Sequence, residues 1–205
     1  MNKIIHSEIK DEILEKAMLL FWHRGYFNTS IDNIVKETGM SRAVMYKYFR
    51  DKQGLFQAIL NRYLKNITSK AIVSLEQPGK DLKPLHDFFT QFHPDQNHIM
   101  QKYGCLMMAT ASDYPLHTGT IKTTIENFSS DLHNLFNEVL IRAKAENAMS
   151  ETVDSKTTAS FLVGNTFGLM ALFRSGADKS VTTNFIEGIC EYIKTLSSTA
   201  KELSL

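Results

Sequence analysis

The sequence predicts an all-α fold, with an N-terminal domain of three helices in a helix-turn-helix arrangement and a larger helical C-terminal domain. Two observations predict this fold. Apolar residues recur at helical spacing along most of the 205 residues, and capping residues or turn signals stand between the periodic segments. The predicted boundaries are residues 1–50 for the first domain, 52–75 for a connecting helix and 76–205 for the second domain.

The first predicted helix runs from Ser7 to Arg24, and Gly25 ends it. Its apolar side chains recur at i, i+4 and i+7, which is the spacing of an amphipathic helix. They are Ile9, Ile13, Leu14, Ala17, Leu20 and Phe21. One face of this helix should therefore cover the two short helices that follow.

Two short helices come next, separated by a turn of about three to four residues, which is helix-turn-helix spacing. Thr29 or Ser30 can cap the first of them, because a hydroxyl accepts hydrogen bonds from the free N–H groups at a helix start. Gly39 ends this helix, since glycine adopts the positive φ that a sharp turn needs. Ser41 is then the N-cap of the second helix.

The second short helix has the composition of an element that binds a DNA groove. Val44 and Met45, with either Tyr48 or Phe49, are predicted to face inward. The outward positions then carry polar residues and an exposed ring, namely Arg42, Ala43, Tyr46 and Lys47. Taken singly, these cations are ordinary solvated charges, but their clustering on one side of a helix-turn-helix favours nucleic-acid binding.

A third helix is capped by Asp51 and opens with Lys52, and its apolar periodicity continues to about Leu75. It should connect the two domains, because the turn signal at residues 77–80 closes it. A change in the tilt of this helix, produced in the second domain, would then be transmitted to the helix-turn-helix.

The second domain is rich in large and adaptable side chains, and its first two helices are predicted at residues 82–93 and 96–112. Most of these side chains must form the core. They are Phe88, Phe89, Phe92, Met100, Tyr103, Met107, Met108, Tyr114, Phe128, Phe136, Phe167, Met170 and Phe173.

The last two helices indicate how the chain associates. The segment from about Asp154 to Arg174 is apolar on nearly all sides, so it must be covered on all sides. A final helix has an apolar stripe made of Phe185, Ile186, Ile189, Cys190, Ile193 and Leu196. A four-helix bundle built from two chains would cover both helices; alternatively, the pair closes its own domain.

Composition and charge narrow the function classes. The net charge is +1, but residues 1–65 hold 11 Lys or Arg against 7 Asp or Glu, a net +4, and the remaining residues carry −3. No apolar run approaches the ~18 residues that cross a bilayer, and no secretory signal is recognisable, so we expect a cytoplasmic protein without membrane contact. Cys105 and Cys190 lack metal-binding or disulfide spacing.

The N-terminal residues carry a family resemblance over about residues 7–60. They are Phe21, Gly25, Tyr26, Thr29, Ser30, Ile34, Val35, Gly39, Ser41, Tyr46, Phe49, Lys52, Leu55 and Phe56. Their order and spacing resemble the DNA-binding domain of TetR-type one-component repressors. Many members of that family have glycine where Ala43 stands here.

The resemblance implies a role for each matching position. The residues that touch phosphates in this family correspond to Thr29, Ser30, Tyr46, Tyr48 and Lys52. The residues that read base edges correspond to Arg42, Ala43, Val44 and Lys47, on the helix that begins at Ser41. The partner is then a double-stranded, palindromic DNA operator bound by a homodimer.

The same resemblance implies a small-molecule effector inside the helical C-terminal domain, which would be lipophilic or aromatic. Residues 103–110 are similar to a run that begins a pocket-lining helix in one branch of the family. The candidate ligand-binding residues are Phe92, Tyr103, Cys105, Met108, Phe128, Phe167 and Met170. The structural alternative is that each of them is simply a core residue.

Two other classes of function remain open at this stage. The protein could be a constitutive DNA-binding dimer without a small-molecule effector, or its second domain could serve as a carrier or an enzyme. Neither a GxSxG, GxGxxG or Walker-type loop nor a HExxH or HxxxH pair occurs in the sequence. We therefore predict no catalytic residues, no metal site and no cofactor.

Overall fold

The computed structural model describes residues 2–96 and 98–197. Within this part of the chain the regular elements are helices, with one isolated antiparallel bridge between Met149 and Ser197. The all-α fold expected from the sequence is confirmed. In the described part of the chain, no helix combines the length and apolar character needed to span a bilayer.

The α-helices are, in chain order, α1 (Asn2–Arg24), α2 (Ile31–Thr38), α3 (Arg42–Phe49), α4 (Lys52–Tyr63), α5 (Ser69–Ala71), α6 (Val73–Glu76), α7 (Lys83–Thr90), α8 (Met100–Tyr103), α9 (Leu106–Ser112), α10 (Gly119–Ala145), α11 (Ser155–Ser175) and α12 (Lys179–Thr195). Helix α1 begins earlier than the predicted start at Ser7. Short 3₁₀ turns occupy Pro94–Gln96 and Tyr114–Leu116.

The described residues divide into two compact units. The first contains the residues up to Thr68 together with Ala109–Ile125, and the second contains Ser69–Met108 and the residues from Glu126 onward. The helix-turn-helix lies in the first unit. The candidate ligand-binding residues lie in the second.

Aromatic rings hold α1 against α4 in the first unit. The Phe21 and Phe56 ring centroids are 4.8 Å apart, and the Trp22 ring stands edge-on to Tyr63 with centroids 5.0 Å apart. All four side chains are almost fully buried. The shorter helices pack against this pair, α2 against α1 and α3 against α4.

The segment that returns to the first unit docks on the same aromatic core through His117. This side chain is 3% exposed, and its ring centroid lies 5.3 Å from Tyr26 and 5.0 Å from Phe27. Among the described residues, its Nε2 atom has no hydrogen-bond partner. Burial lowers the pKa of His117, and the nearby Asp113 carboxylate opposes that shift.

The connecting helix is less regular than the periodicity predicts. It is α-helical over Lys52–Tyr63, passes through a π turn at Leu64–Thr68 and continues as the short helices α5 and α6. A π turn inserts an extra residue, which rotates the apolar face. Tyr63 is thus buried in the first unit, while Leu75 is buried in the second.

Helices α7, α10, α11 and α12 build the core of the second unit. The Phe88 ring packs edge-on against Phe136 with centroids 5.1 Å apart, and Phe89 stacks on Phe136 at 6.0 Å. Helix α8 packs across α11, and α12 packs against α7 and α11. The aromatic residues of this domain are therefore largely core residues, as expected.

The single helix predicted at residues 96–112 is wrong, because the chain breaks at Gly104. This glycine has a φ of 70° and separates α8 from α9. A Cβ atom at this position would lie 2.5 Å from the backbone oxygen of Met170, so α8 and α11 cross at backbone contact. Helical periodicity does not reveal such a crossing, because it depends on a distant helix.

We expect Gly104→Ala to lower the free energy of unfolding by about 2 to 4 kcal/mol, through positive-φ strain and the collision with Met170. Gly176→Ala is the matched control, because Gly176 has a φ of 73° and open space around it. The control should cost about 1 kcal/mol. Equilibrium urea unfolding measures both, and equal costs would contradict the close crossing.

Stability should also fall as the pH drops below about 6.5, the ordinary pKa of histidine. Because burial lowers the folded-state pKa of His117, the unfolded chain binds a proton at a pH where the folded unit does not. Burial also lowers the pKa of His98 in the second unit, so both histidines make the folded protein less stable at low pH. Urea unfolding at pH 7.5 and 5.5 should show a smaller pH effect in His117→Phe than in the wild type. An unchanged pH effect would contradict this.

Candidate nucleic-acid interface

Helix α2 begins with reciprocal hydrogen bonds between Ser30 and Asn33. The Ser30 hydroxyl oxygen accepts from the Asn33 N–H at 3.1 Å, and the Asn33 side-chain oxygen accepts from the Ser30 N–H at 3.0 Å. This capping box satisfies two backbone donors at once. Ser30 was predicted as a cap and Asn33 was not, although its position three residues after Ser30 was the available signal.

The turn between α2 and α3 follows the prediction. Gly39 has a φ of 71°, and its N–H donates to the Val35 carbonyl at 3.0 Å. The Ser41 hydroxyl then caps α3 by accepting from the Val44 N–H at 3.2 Å. Met40, which lies between them, is 3% exposed and anchors the turn in the core.

Helix α3 is held by two buried side chains and exposes the rest of its surface. Met45 is fully buried and Phe49 is 8% exposed, whereas Tyr48 is 51% exposed. Of the two alternatives for the inward position, Phe49 is therefore correct. The prediction that Val44 faces inward is wrong, since its side chain is 37% exposed on the same helix.

Most of the predicted DNA-binding residues are exposed, at the N-termini of α2 and α4 and along α3. The exposed members of this set are Ser30, Ser41, Arg42, Ala43, Val44, Tyr46, Lys47 and Tyr48. Lys52 is partly exposed at the N-terminus of α4.

Thr29 is the exception, and its predicted phosphate contact is corrected by the structure. The side chain is fully buried, and its hydroxyl donates to the Gly25 carbonyl oxygen at 2.7 Å. Its hydrogen-bonding capacity is used to end α1 and not to reach a ligand. A hydroxyl residue before a helix looks the same in sequence whether it caps that helix or closes the previous one.

Arg42 forms an ion pair with Asp32, across the two helices of the helix-turn-helix. Both side chains are more than half exposed, so the pair itself adds little stability. It does restrict the orientation of the guanidinium group. A charge-neutralising partner beside the arginine that is predicted to read a base was not visible in the sequence, because the two residues are ten positions apart.

Lys52 is positioned by the ring of Tyr26, which was not among the predicted DNA-binding residues. Its Nζ atom lies 4.2 Å from the centroid of Tyr26, a cation–π contact. Burial lowers the pKa of Lys52 and raises the pKa of Tyr26, which the Asp51 carboxylate raises further. Asp51 also caps α4 by accepting from the Gly54 N–H at 2.7 Å.

Sequence patterns of known families match both halves of the chain. The pattern described as "Bacterial regulatory proteins, tetR family" matches residues 13–59, which include the helix-turn-helix. The pattern described as "Tetracyclin repressor-like, C-terminal domain" matches residues 82–189. The second match alone covers more than half of the chain.

Individual proteins show the same similarity. The HTH-type transcriptional repressor ComR of Escherichia coli is 28% identical over 169 residues, which cover 82% of this chain and 80% of that repressor. Among solved structures, a TetR transcriptional regulator from Chloroflexus aurantiacus has a TM-score of 0.81 at 18% identity, covering 96% of this chain and 98% of that one.

A second solved structure contains DNA. A cysteine mutant of the TetR family transcriptional regulator CifR, complexed with a 26 bp double-strand operator, has a TM-score of 0.71 at 21% identity. The match covers 88% of this chain and 94% of that one. At these identities the structural similarities show a shared fold.

Proposed function

Because this chain belongs to the TetR family of bacterial regulatory proteins, we propose that it is a homodimeric repressor that binds a palindromic DNA operator and is released by a small-molecule effector. The observation that carries the proposal is the exposed surface of α3, a short helix with cationic and aromatic side chains, anchored from below by Met45 and Phe49. A regulator of this kind acts on the chromosome, in the cytoplasm.

Helix α3 enters the major groove of the DNA. The major groove is wide enough to admit an α-helix, and the base edges exposed there carry a distinct pattern for each base pair. Arg42, Ala43, Val44 and Lys47 face the bases from the first turns of the helix. Two such helices in a dimer contact half-sites about one helical turn, or ~34 Å, apart.

The phosphate contacts come from Ser30, Tyr46, Tyr48 and Lys52, around the edge of that surface. Such contacts fix the register of the helix on the duplex but carry no sequence information directly. The cation–π contact with Tyr26 restricts where Lys52 can point. Part of the side-chain entropy that Lys52 would lose on binding DNA is therefore already lost in the free protein.

An exposed apolar face on α11 and α12 supports the homodimer. Phe161 is 50% exposed, and its ring lies 4.8 Å from the Tyr192 ring. Val181 is 46% exposed, and Gly164 allows close approach of a second backbone. A helix with apolar side chains on its outer face is stabilised by a partner that covers it.

The effector site that we propose lies in the second unit, among Phe92, Tyr103, Cys105, Met108, Phe128, Phe167 and Met170. Five of these side chains are at most 8% exposed, and Tyr103 and Phe167 are half-buried. The crossing at Gly104 brings the segment between Tyr103 and Cys105 against Met170. These apolar and aromatic groups suit a lipophilic or aromatic molecule.

Release from DNA requires that the effector bind the two conformations of the protein with different affinities. A hundredfold weakening of operator binding corresponds to a coupling free energy of about 2.7 kcal/mol. An effector with equal affinity for both conformations would leave operator binding unchanged, however tightly it bound.

The proposed DNA contacts predict two different mutant phenotypes on an operator selected from random DNA. Lys52→Ala should weaken binding by a similar factor on every sequence and reduce the slope of log K against log[salt] by about 0.9 for each half-site, because one phosphate contact is lost. Arg42→Ala should instead relax the choice of base pair at one position in each half-site, by about 1 to 3 kcal/mol. Fluorescence anisotropy between 50 and 300 mM salt measures both.

The opposite pattern would reject these assignments. A Lys52→Ala protein with the wild-type affinity and salt slope does not use this lysine on phosphate. An Arg42→Ala protein with unchanged sequence preference does not read a base through this side chain. A wild-type protein that selects no DNA sequence would reject the proposed function itself.

Phe161→Glu should convert the dimer to a monomer, since it places a charge in the apolar face of α11. Ile141→Glu is the matched control, because Ile141 is also 50% exposed but lies on α10. Light scattering after gel filtration should give a monomer for the first variant and a dimer for the second. A Phe161→Glu dimer of unchanged affinity would show that the subunits meet elsewhere.

A further inference from the structure

The chain reverses direction at Arg50, between α3 and α4. Arg50 has a φ of 69° and a ψ of −52°, and the N–H of Asp51 donates to the Phe49 carbonyl oxygen at 2.8 Å. This is a γ-turn with a positive central φ, which is rare and strained for an L residue. In the described part of the chain, Asn147 is the other non-glycine residue with a positive φ, and asparagine is enriched in that region.

The two helices leave little freedom at this corner. Asp51 is held extended, with a φ of −154°, because its carboxylate caps α4 by accepting from the Gly54 N–H. Phe49 on one side and Leu55 on the other are buried and fix both helix ends. The whole change of direction therefore falls on Arg50.

Nothing in the fold explains an arginine at this position. Glycine would adopt the positive φ without strain. The Arg50 side chain is exposed, and within the described residues no carboxylate oxygen lies within 4.0 Å of its guanidinium group. Arg42, by contrast, is paired with Asp32. A strained, exposed cation without an ion-pair partner among the described residues points to a partner outside the chain.

We propose that Arg50 is an additional phosphate contact of the DNA interface, held at the corner by the strained turn; this inference rests on the proposed function. Arg50 follows α3 directly and precedes Lys52 by two residues, so both cations belong to the same helix–helix corner. A guanidinium group binds two phosphate oxygens through parallel N–H donors. The contact would place α3 in the groove without reading a base.

The test compares Arg50→Ala, Arg50→Lys and Arg50→Gly in the full chain, on the operator selected by the wild type. The alanine variant keeps the strain and loses the charge, the lysine variant keeps both, and the glycine variant loses both. Lys156→Ala is the control for a lost surface cation, since Lys156 is exposed at the start of α11 in the second unit. Anisotropy titrations between 50 and 300 mM salt give the affinity and the salt slope.

We expect Arg50→Ala and Arg50→Gly to bind about eightfold more weakly for each half-site at 0.1 M salt, with a slope reduced by about 0.9 for each half-site. The loss should be equal on operators that differ in sequence. Arg50→Lys should retain the slope, and Lys156→Ala should match the wild type. Arg50→Gly should melt about 2 to 4 °C above Arg50→Ala, because only glycine relieves the turn.

Two results would overturn the inference. The wild-type slope in Arg50→Ala would show that this side chain touches no phosphate, and a loss that depends on the operator sequence would show a base contact instead. If Lys52→Ala responds as a phosphate contact while Arg50→Ala does not, only this inference fails. If the wild type binds no selected DNA, the proposed function fails with it.

Discussion

The structure depends on the burial of two side chains from a helix that is too short to be stable alone. Helix α3 has eight residues, below the ~12 to 15 at which an isolated helix becomes even marginally stable in water. Met45 and Phe49 tie it to the core of the first unit, and the burial of each side chain contributes about 1.5 to 3 kcal/mol. Every outward residue of α3 takes its direction from these two contacts. The capping hydroxyls of Ser30 and Ser41 then fix where each helix starts.

The sequence was sufficient where the determinants are local. The N-caps at Ser30, Ser41 and Asp51, the C-cap at Gly39 and the amphipathic periods of α1 and α12 all follow from neighbouring residues, and the structure confirms them. It was insufficient where a distant residue decides. Thr29 is turned inward by the end of α1, and Gly104 breaks a periodic helix because α11 passes behind it. The spacing of apolar residues predicts neither the strained turn at Arg50 nor the contact of Lys52 with the Tyr26 ring.

The two units differ in how their side chains are used. In the first unit, buried aromatic side chains support an exposed polar surface. Contacts such as that of Lys52 with the Tyr26 ring orient the cations of this surface. In the second unit the large side chains are turned toward one another, as in the edge-on packing of Phe88 against Phe136. A π turn at Leu64–Thr68 lies where the chain passes from one kind of packing to the other. The segment from α4 to α6 thereby buries Tyr63 in the core of the first unit and Leu75 in the core of the second.

The first unit is not continuous in sequence, since Ala109–Ile125 belongs to it although residues on both sides belong to the second unit. His117 brings that segment onto Tyr26 and onto Phe56 in the aromatic core. During synthesis on the ribosome, the N-terminal half therefore lacks one wall of its core until Ile125 has left the exit tunnel. A nascent chain that ends before this point exposes rings that the complete protein covers. The first unit can therefore complete its core only after both of its sequence segments have been synthesised.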